Sequence, residues 1–250
     1  MNHPSPFFLK WFPGELNHDT GFHNFVSATV PKLGKILDLG CGDNDCLTRY
    51  RTSELEAWGT DFDAHPDLKH VDWFRLMPAD GLIPFADQTF DLVSSYMVME
   101  HVTKPAAFLG EIARVLKPNG VFIGQSIQSL HYVTWIRRLF DVLPHSWVQR
   151  TVKKLYGREE HDTFPTCYRL NRKSVIARAA KASNLETIDW RGYASQGYFS
   201  FSPLLFRLAV LFDWGLERIH PGLGKIYFTV ILRKPPALAI RAERQTSQAA

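Results

Sequence analysis

Residues 35–45, Lys-Ile-Leu-Asp-Leu-Gly-Cys-Gly-Asp-Asn-Asp, constrain this chain more than any other stretch. Ile36, Leu37 and Leu39 form a short apolar run, as in a parallel strand covered on both faces. Gly40 and Gly42 follow at once. Glycine permits backbone torsions that a side chain forbids, so a ligand can lie against the main chain there. A buried strand running into such a turn is half of a nucleotide-binding unit, and it points to an α/β sheet.

Charge narrows the ligand. A dinucleotide turn carries a third glycine and a helix N-terminus that receives pyrophosphate. Here Asn44 stands at the third position, and Asp38, Asp43 and Asp45 crowd the turn. Their carboxylates repel a phosphate, most strongly where water is excluded, and attract a ligand bearing sulfonium and ammonium groups. S-adenosylmethionine has both, so the turn favours it over NAD. About 20 residues on is the spacing at which a second strand offers an acid to a ribose. Ala57-Trp58-Gly59-Thr60-Asp61-Phe62-Asp63 fits, with Asp61 at the strand end. One carboxylate can accept bonds from both ribose hydroxyls, although Asp61 could equally cap the next helix.

Four segments taken together, ILDLGCGDND (36–45), GTDFD (59–63), ADGLIPFADQTFDLVSS (79–95) and EHVTKPAAFLGEIARVLKPNG (100–120), resemble the class I S-adenosylmethionine-dependent methyltransferases in order and spacing. The resemblance covers about the first half of the chain; Asn44 departs from it, but asparagine tolerates left-handed torsions. It implies a Rossmann-like, doubly wound seven-stranded sheet, mostly parallel with an antiparallel last strand, plus helical cap insertions. It also implies cofactor contacts from Asp38, Gly40, Cys41, Gly42, Asp61, Phe62, Asp80, Gly81 and Tyr96, with Asp80 beside the adenine amino group rather than serving as an ordinary turn aspartate. His101 falls near the expected methyl-transfer site, where a structural role is the alternative. His161, in the polar loop 159–166, is by residue type the better general base.

The expected layout is an N-terminal arm and helix (1–30), the cofactor-binding half (31–126), a basic helical cap (127–170), the C-terminal half (171–235) with an apolar helix at 202–220, and a mobile tail (236–250). The aromatic arm from Phe7 to Phe12 either packs on the domain, covers the cofactor or anchors to a surface. His18, Asp19 and His23 are read as a solvated helix face. A net charge of +4 is too mild to imply nucleic acid. Three cysteines without metal-ligand spacing suit a reducing cytosol, and the first ten residues do not read as a signal peptide, so a cytoplasmic location is expected, with or without peripheral membrane contact. Leu204, Leu205, Leu208, Leu211, Phe212, Leu216 and Ile219 form an apolar stripe that must be buried in the cap, paired with another chain or laid on a bilayer surface.

The sequence therefore points to methyl transfer from S-adenosylmethionine to a small-molecule, saccharide or lipid-linked acceptor, with oxygen the expected atom. A non-catalytic scaffold that kept the cofactor fold and an NAD-dependent oxidoreductase are the rival readings.

Overall fold

The computed structural model describes residues 5–32, 34–42, 47–63, 71–140, 166–195 and 197–236. Along them lie α1 (Pro6–Trp11), α2 (His18–Thr29), β1 (Gly34–Leu39), β2 (Leu55–Asp61), β3 (Trp73–Leu76), β4 (Phe90–Tyr96), α3 (Pro105–Val115) and β5 (Leu116–Ile127). The remainder comprises α4 (Tyr132–Phe140), α5 (Lys173–Ala182), β6 (Glu186–Tyr193), α6 (Pro203–Ile219) and β7 (Tyr227–Arg233).

The seven strands pair in the order β3-β2-β1-β4-β5-β7-β6. β1 to β5 are parallel to their neighbours, whereas β7 runs antiparallel to both β5 and β6. This is the sheet that the motifs implied. The chain builds outward from β1 to β3, then returns across to β4, so the strand order reverses between β1 and β4. Open α/β sheets bind ligands outside the carboxyl ends of the strands at that reversal.

Alternation of side chains along each strand splits the core in two. Ile36, Leu92 and Ile123 join Phe22 and Val26 of α2 on one face. Leu37, Val93 and Phe122 point the other way, toward Ile112 of α3 and Ile176 of α5. Because both faces are covered, the central strands are apolar at consecutive positions. Full burial of such a side chain contributes about 1.5–3 kcal/mol.

Two local features lie beside the motif segments. A 3₁₀ turn, Met99–His101, follows β4. The Glu100 carboxylate accepts from the Ser126 hydroxyl and its carbonyl from the Cys167 and Tyr168 amides, which holds the turn inward. Strand β5 begins at Leu116, directly after α3. Leu116 pairs with Phe90, the register then shifts, and Val121 pairs with Leu92. Asn119 turns the chain there with φ +65°.

Ser202 caps α6 by accepting from the Leu205 amide, and Pro203 occupies its first turn, as expected. The N-terminal arm packs against this helix. Phe8, Phe12 and Val210 are buried together, Phe8 stacks on Phe12 with centroids 5.1 Å apart, and Trp11 meets Trp214 edge-on at 5.0 Å. Residues 141–165 of the expected basic cap and the tail beyond residue 236 lie outside the described residues.

Candidate functional site

The glycine turn leaves β1 at its carboxyl end. Gly40 has φ +76°, and a Cβ there would sit 2.4 Å from Val98 Cγ2, so torsion and space both require glycine. The turn is laced to β2: the Gly40 and Cys41 amides donate to the Thr60 carbonyl, and the Gly42 amide donates to Asp61 Oδ2 at 2.8 Å. Asp61 Oδ1 accepts from the Phe62 amide at 2.6 Å. The carboxylate thus ties the turn to the end of β2.

Asp38 lies buried at the end of β1, with the Ser94 hydroxyl 3.4 Å from Oδ1. Burial raises its pKa to about 7; the Ser94 bond opposes this and the charge of Asp61 adds to it. Burial also pushes the Cys41 thiol up to about 12, so it is inert packing and only its backbone is suited to a ligand. Phe62 is exposed after β2. Asp80 is exposed after β3, accepts from the Leu82 amide at 3.0 Å, and is followed by Gly81 at φ +79°. Tyr96 ends β4 and meets Phe22 edge-on at 5.1 Å. The structure therefore gathers the described candidates along the carboxyl ends of β1, β2, β3 and β4. Asp43, Asn44 and Asp45 lie outside the described residues.

A second wall rises over β5, β7 and β6. Met97, Ile127, Tyr132, Tyr193, Tyr198, Phe199 and Tyr227 form one largely aromatic cluster at the same edge of the sheet. His18, at the start of α2, stacks on Tyr227 with ring centroids 3.7 Å apart. Its Nδ1 is 3.0 Å from Gln125 Nε2. The Thr229 hydroxyl donates to Gln125 Oε1 at 2.9 Å, so the amide nitrogen is the donor to His18 and the imidazole proton resides on Nε2. Burial lowers the His18 pKa to about 4 against the opposing pull of Asp19, leaving a neutral ring at pH 7.

His18 and His23 are therefore not a solvated helix face: His23 Nδ1 lies 2.7 Å from the Tyr50 hydroxyl. Sequence reading missed His18 because its partners Gln125, Tyr227 and Thr229 lie far along the chain. The one available signal was its place at the head of the helix that precedes the glycine-turn strand. His101 sits on the 3₁₀ turn beside buried Glu100, and His161 lies outside the described residues.

Residues 37–124 match the family model described as "Methyltransferase domain". This part of the chain is similar to methyltransferase domains. Among curated proteins, the ubiquinone biosynthesis O-methyltransferase of Rhodopseudomonas palustris is 26% identical over 141 residues, covering 53% of each chain. The same enzyme of Maricaulis maris is 35% identical over 117 residues, covering 42% of this chain and 45% of its own. This chain spans about half the length of those relatives. A Methanosarcina mazei protein described as a SAM-dependent methyltransferase shares the fold with a TM-score of 0.53 and 14% identity, over 89% of this chain and 99% of that one.

The donor set at these strand ends fits a cationic nucleoside better than a dinucleotide. Asp38 and Asp61 set two carboxylates beside the glycine turn, which disfavours a pyrophosphate there, and the exposed ring of Phe62 and the carboxylate of Asp80 follow the adjoining strand ends.

Proposed function

We propose that this chain is an S-adenosylmethionine-dependent methyltransferase acting on an aromatic or otherwise apolar small molecule, at oxygen. The observation that supports it best is Asp38, a buried carboxylate whose pKa is raised to about 7 and which a cationic ligand would relieve.

The cofactor, when bound, supplies a methyl group already made electrophilic by its sulfonium. The remaining task of the protein is placement at short range. Gly40 and Gly42 present backbone without side chains. Asp61 receives the ribose hydroxyls while it continues to hold the Gly42 amide. Asp80 distinguishes an adenine amino group from a carbonyl, and Phe62 offers a ring face. Tyr96 closes the β4 side.

On the acceptor side, the cluster from Met97 to Tyr227 presents mainly ring and aliphatic faces, which favour an apolar ring or chain over a saccharide. Neutral His18 directs an Nε2–H into this wall and orients the acceptor oxygen as a hydrogen-bond donor. Where the acceptor hydroxyl must lose its proton early, His101 or His161 is the base. A scaffold role is the second reading, since nearly two thirds of the chain lies beyond the matched family motif.

The test is transfer of labelled methyl from S-adenosylmethionine to a panel of phenols, quinols, prenyl compounds and sugars. Activity should be confined to the apolar members. Stoichiometric S-adenosylhomocysteine binding with no turnover on any of them would favour the scaffold.

A further inference from the structure

The helix α6 is apolar on two sides, and only one of them is used. Phe206, Val210 and Trp214 turn inward onto α1. Leu204, Leu208, Phe212 and Ile219, which share the opposite stripe, are 67%, 53%, 53% and 78% exposed. Isolated exposed leucines are ordinary, but a continuous stripe along a 17-residue helix is not. The stripe continues onto α4, where Trp135 and Leu139 are also exposed, and the two helices touch where Tyr132 meets Phe212 edge-on at 5.1 Å.

Among the described residues, the exposed charges beside this stripe are basic. Helical spacing puts Arg207 and Arg218 along one edge of it, both exposed. They bend over the inner aromatics, Arg207 5.4 Å from the Phe7 ring and Arg218 4.7 Å from the Trp214 ring. Arg138 is exposed on α4. The acids of α6 are turned away: Asp213 is buried, 3.3 Å from His131 Nε2, and Glu217 accepts from the Gly222 and Gly224 amides. Neither α1 nor α4 contains an acid. A second copy of this chain would bring the same cations against these. A surface of apolar chains edged with anions complements them. Among the described residues no helix is long and apolar enough to cross a membrane, so the contact lies in the plane of the surface.

We infer that the outer face of α6, with the adjoining end of α4, docks the protein onto an anionic lipid bilayer surface. Phe212 dips toward the acyl chains beside Tyr132, a member of the aromatic cluster over β5 and β7, so the docked face adjoins the proposed acceptor wall. The inference stands on the helix and its charges and does not require methyl transfer to be the reaction.

Flotation of the full chain with vesicles of phosphatidylcholine alone or mixed with phosphatidylglycerol tests it. Binding should require the anionic lipid and weaken as salt is raised. Arg207→Gln with Arg218→Gln should weaken it roughly thirtyfold, at about fivefold per basic residue near such a surface. Leu208→Glu with Phe212→Glu should abolish it while S-adenosylhomocysteine affinity and melting temperature stay unchanged, since both positions are exposed. The proposal is overturned if the wild-type chain stays unbound at low salt, if salt has no effect, or if light scattering shows a dimer that the Leu208→Glu, Phe212→Glu chain does not form. Should that chain fail to fold, the wild-type salt series and the arginine pair still decide.

Discussion

The two halves of the sheet edge are built by different means. Over β1 and β2 the site is mostly backbone, set by a few consecutive residues: a glycine turn, an acid at the next strand end, and amide bonds between them. Over β5, β7 and β6 it is side chains from the start of α2, the residue after β4, the start of α4, the stretch after β6 and the start of β7. The first half can keep its chemistry while the rest of the sequence drifts, because few side chains are specified. The second can change its ligand by single substitutions. Under the proposed function, the first half would hold the cofactor and the second would choose the acceptor.

The predictions test this division from the largest effect down. Leu92 is fully buried between β1 and β5, so Leu92→Ala should cost about 2–5 kcal/mol of stability by chemical denaturation and damage both halves together. Gly40→Ala should cost about 1–3 kcal/mol through its φ of +76° and the Val98 contact, with a parallel loss of S-adenosylhomocysteine affinity. A wild-type melt and full affinity in that variant would show that the turn tolerates a side chain. His18→Phe keeps the stacking on Tyr227 and removes the donor. Turnover should fall roughly tenfold or more while cofactor affinity holds, about the worth of one hydrogen bond. Equal loss of both would move His18 to the cofactor half.

The pH dependence sharpens the division further. The folded pKa of Asp38, about 7, lies above its ordinary value of 3.8, so the native state holds a proton that the unfolded chain releases. Its stabilising effect is complete below about pH 4 and is lost as pH rises to about 7. His18 acts oppositely in an overlapping window: its depressed pKa, about 4 against 6.5, lets stability rise with pH between those values. Urea midpoints of Asp38→Asn and wild type, compared from pH 4 to 8, should therefore diverge in favour of the variant as pH rises. A constant difference would remove Asp38 from the balance. The smallest effect is expected outside the core: Leu208→Ser, more than half exposed, should shift stability by no more than about 0.5 kcal/mol.

Legibility in the sequence followed the same division. The central strands and the residues of the glycine turn were readable because their determinants are contiguous and their periodicity is local, whereas the order of the strands came only with the family resemblance. Asp61 was placed at its strand end by spacing alone. His18 was not, because its neighbours Gln125 and Tyr227 become neighbours only when β5 and β7 pair. The apolar stripe of α6 was recognised, yet its destination was left open. A helix with apolar residues on most of its circumference does not reveal which side the domain covers; Phe206, Val210 and Trp214 were the covered set only because α1 folds back onto them.

The assignment of the β1–β2 edge is tested most directly by calorimetric titration of S-adenosylhomocysteine and NAD into the wild-type chain and Asp61→Ala. Only S-adenosylhomocysteine should bind the wild type, and the substitution should weaken it by about 1.5–3 kcal/mol, the scale of hydrogen bonds to a charged group. Binding of NAD in its place, or equal S-adenosylhomocysteine affinity in the two chains, would contradict the assignment.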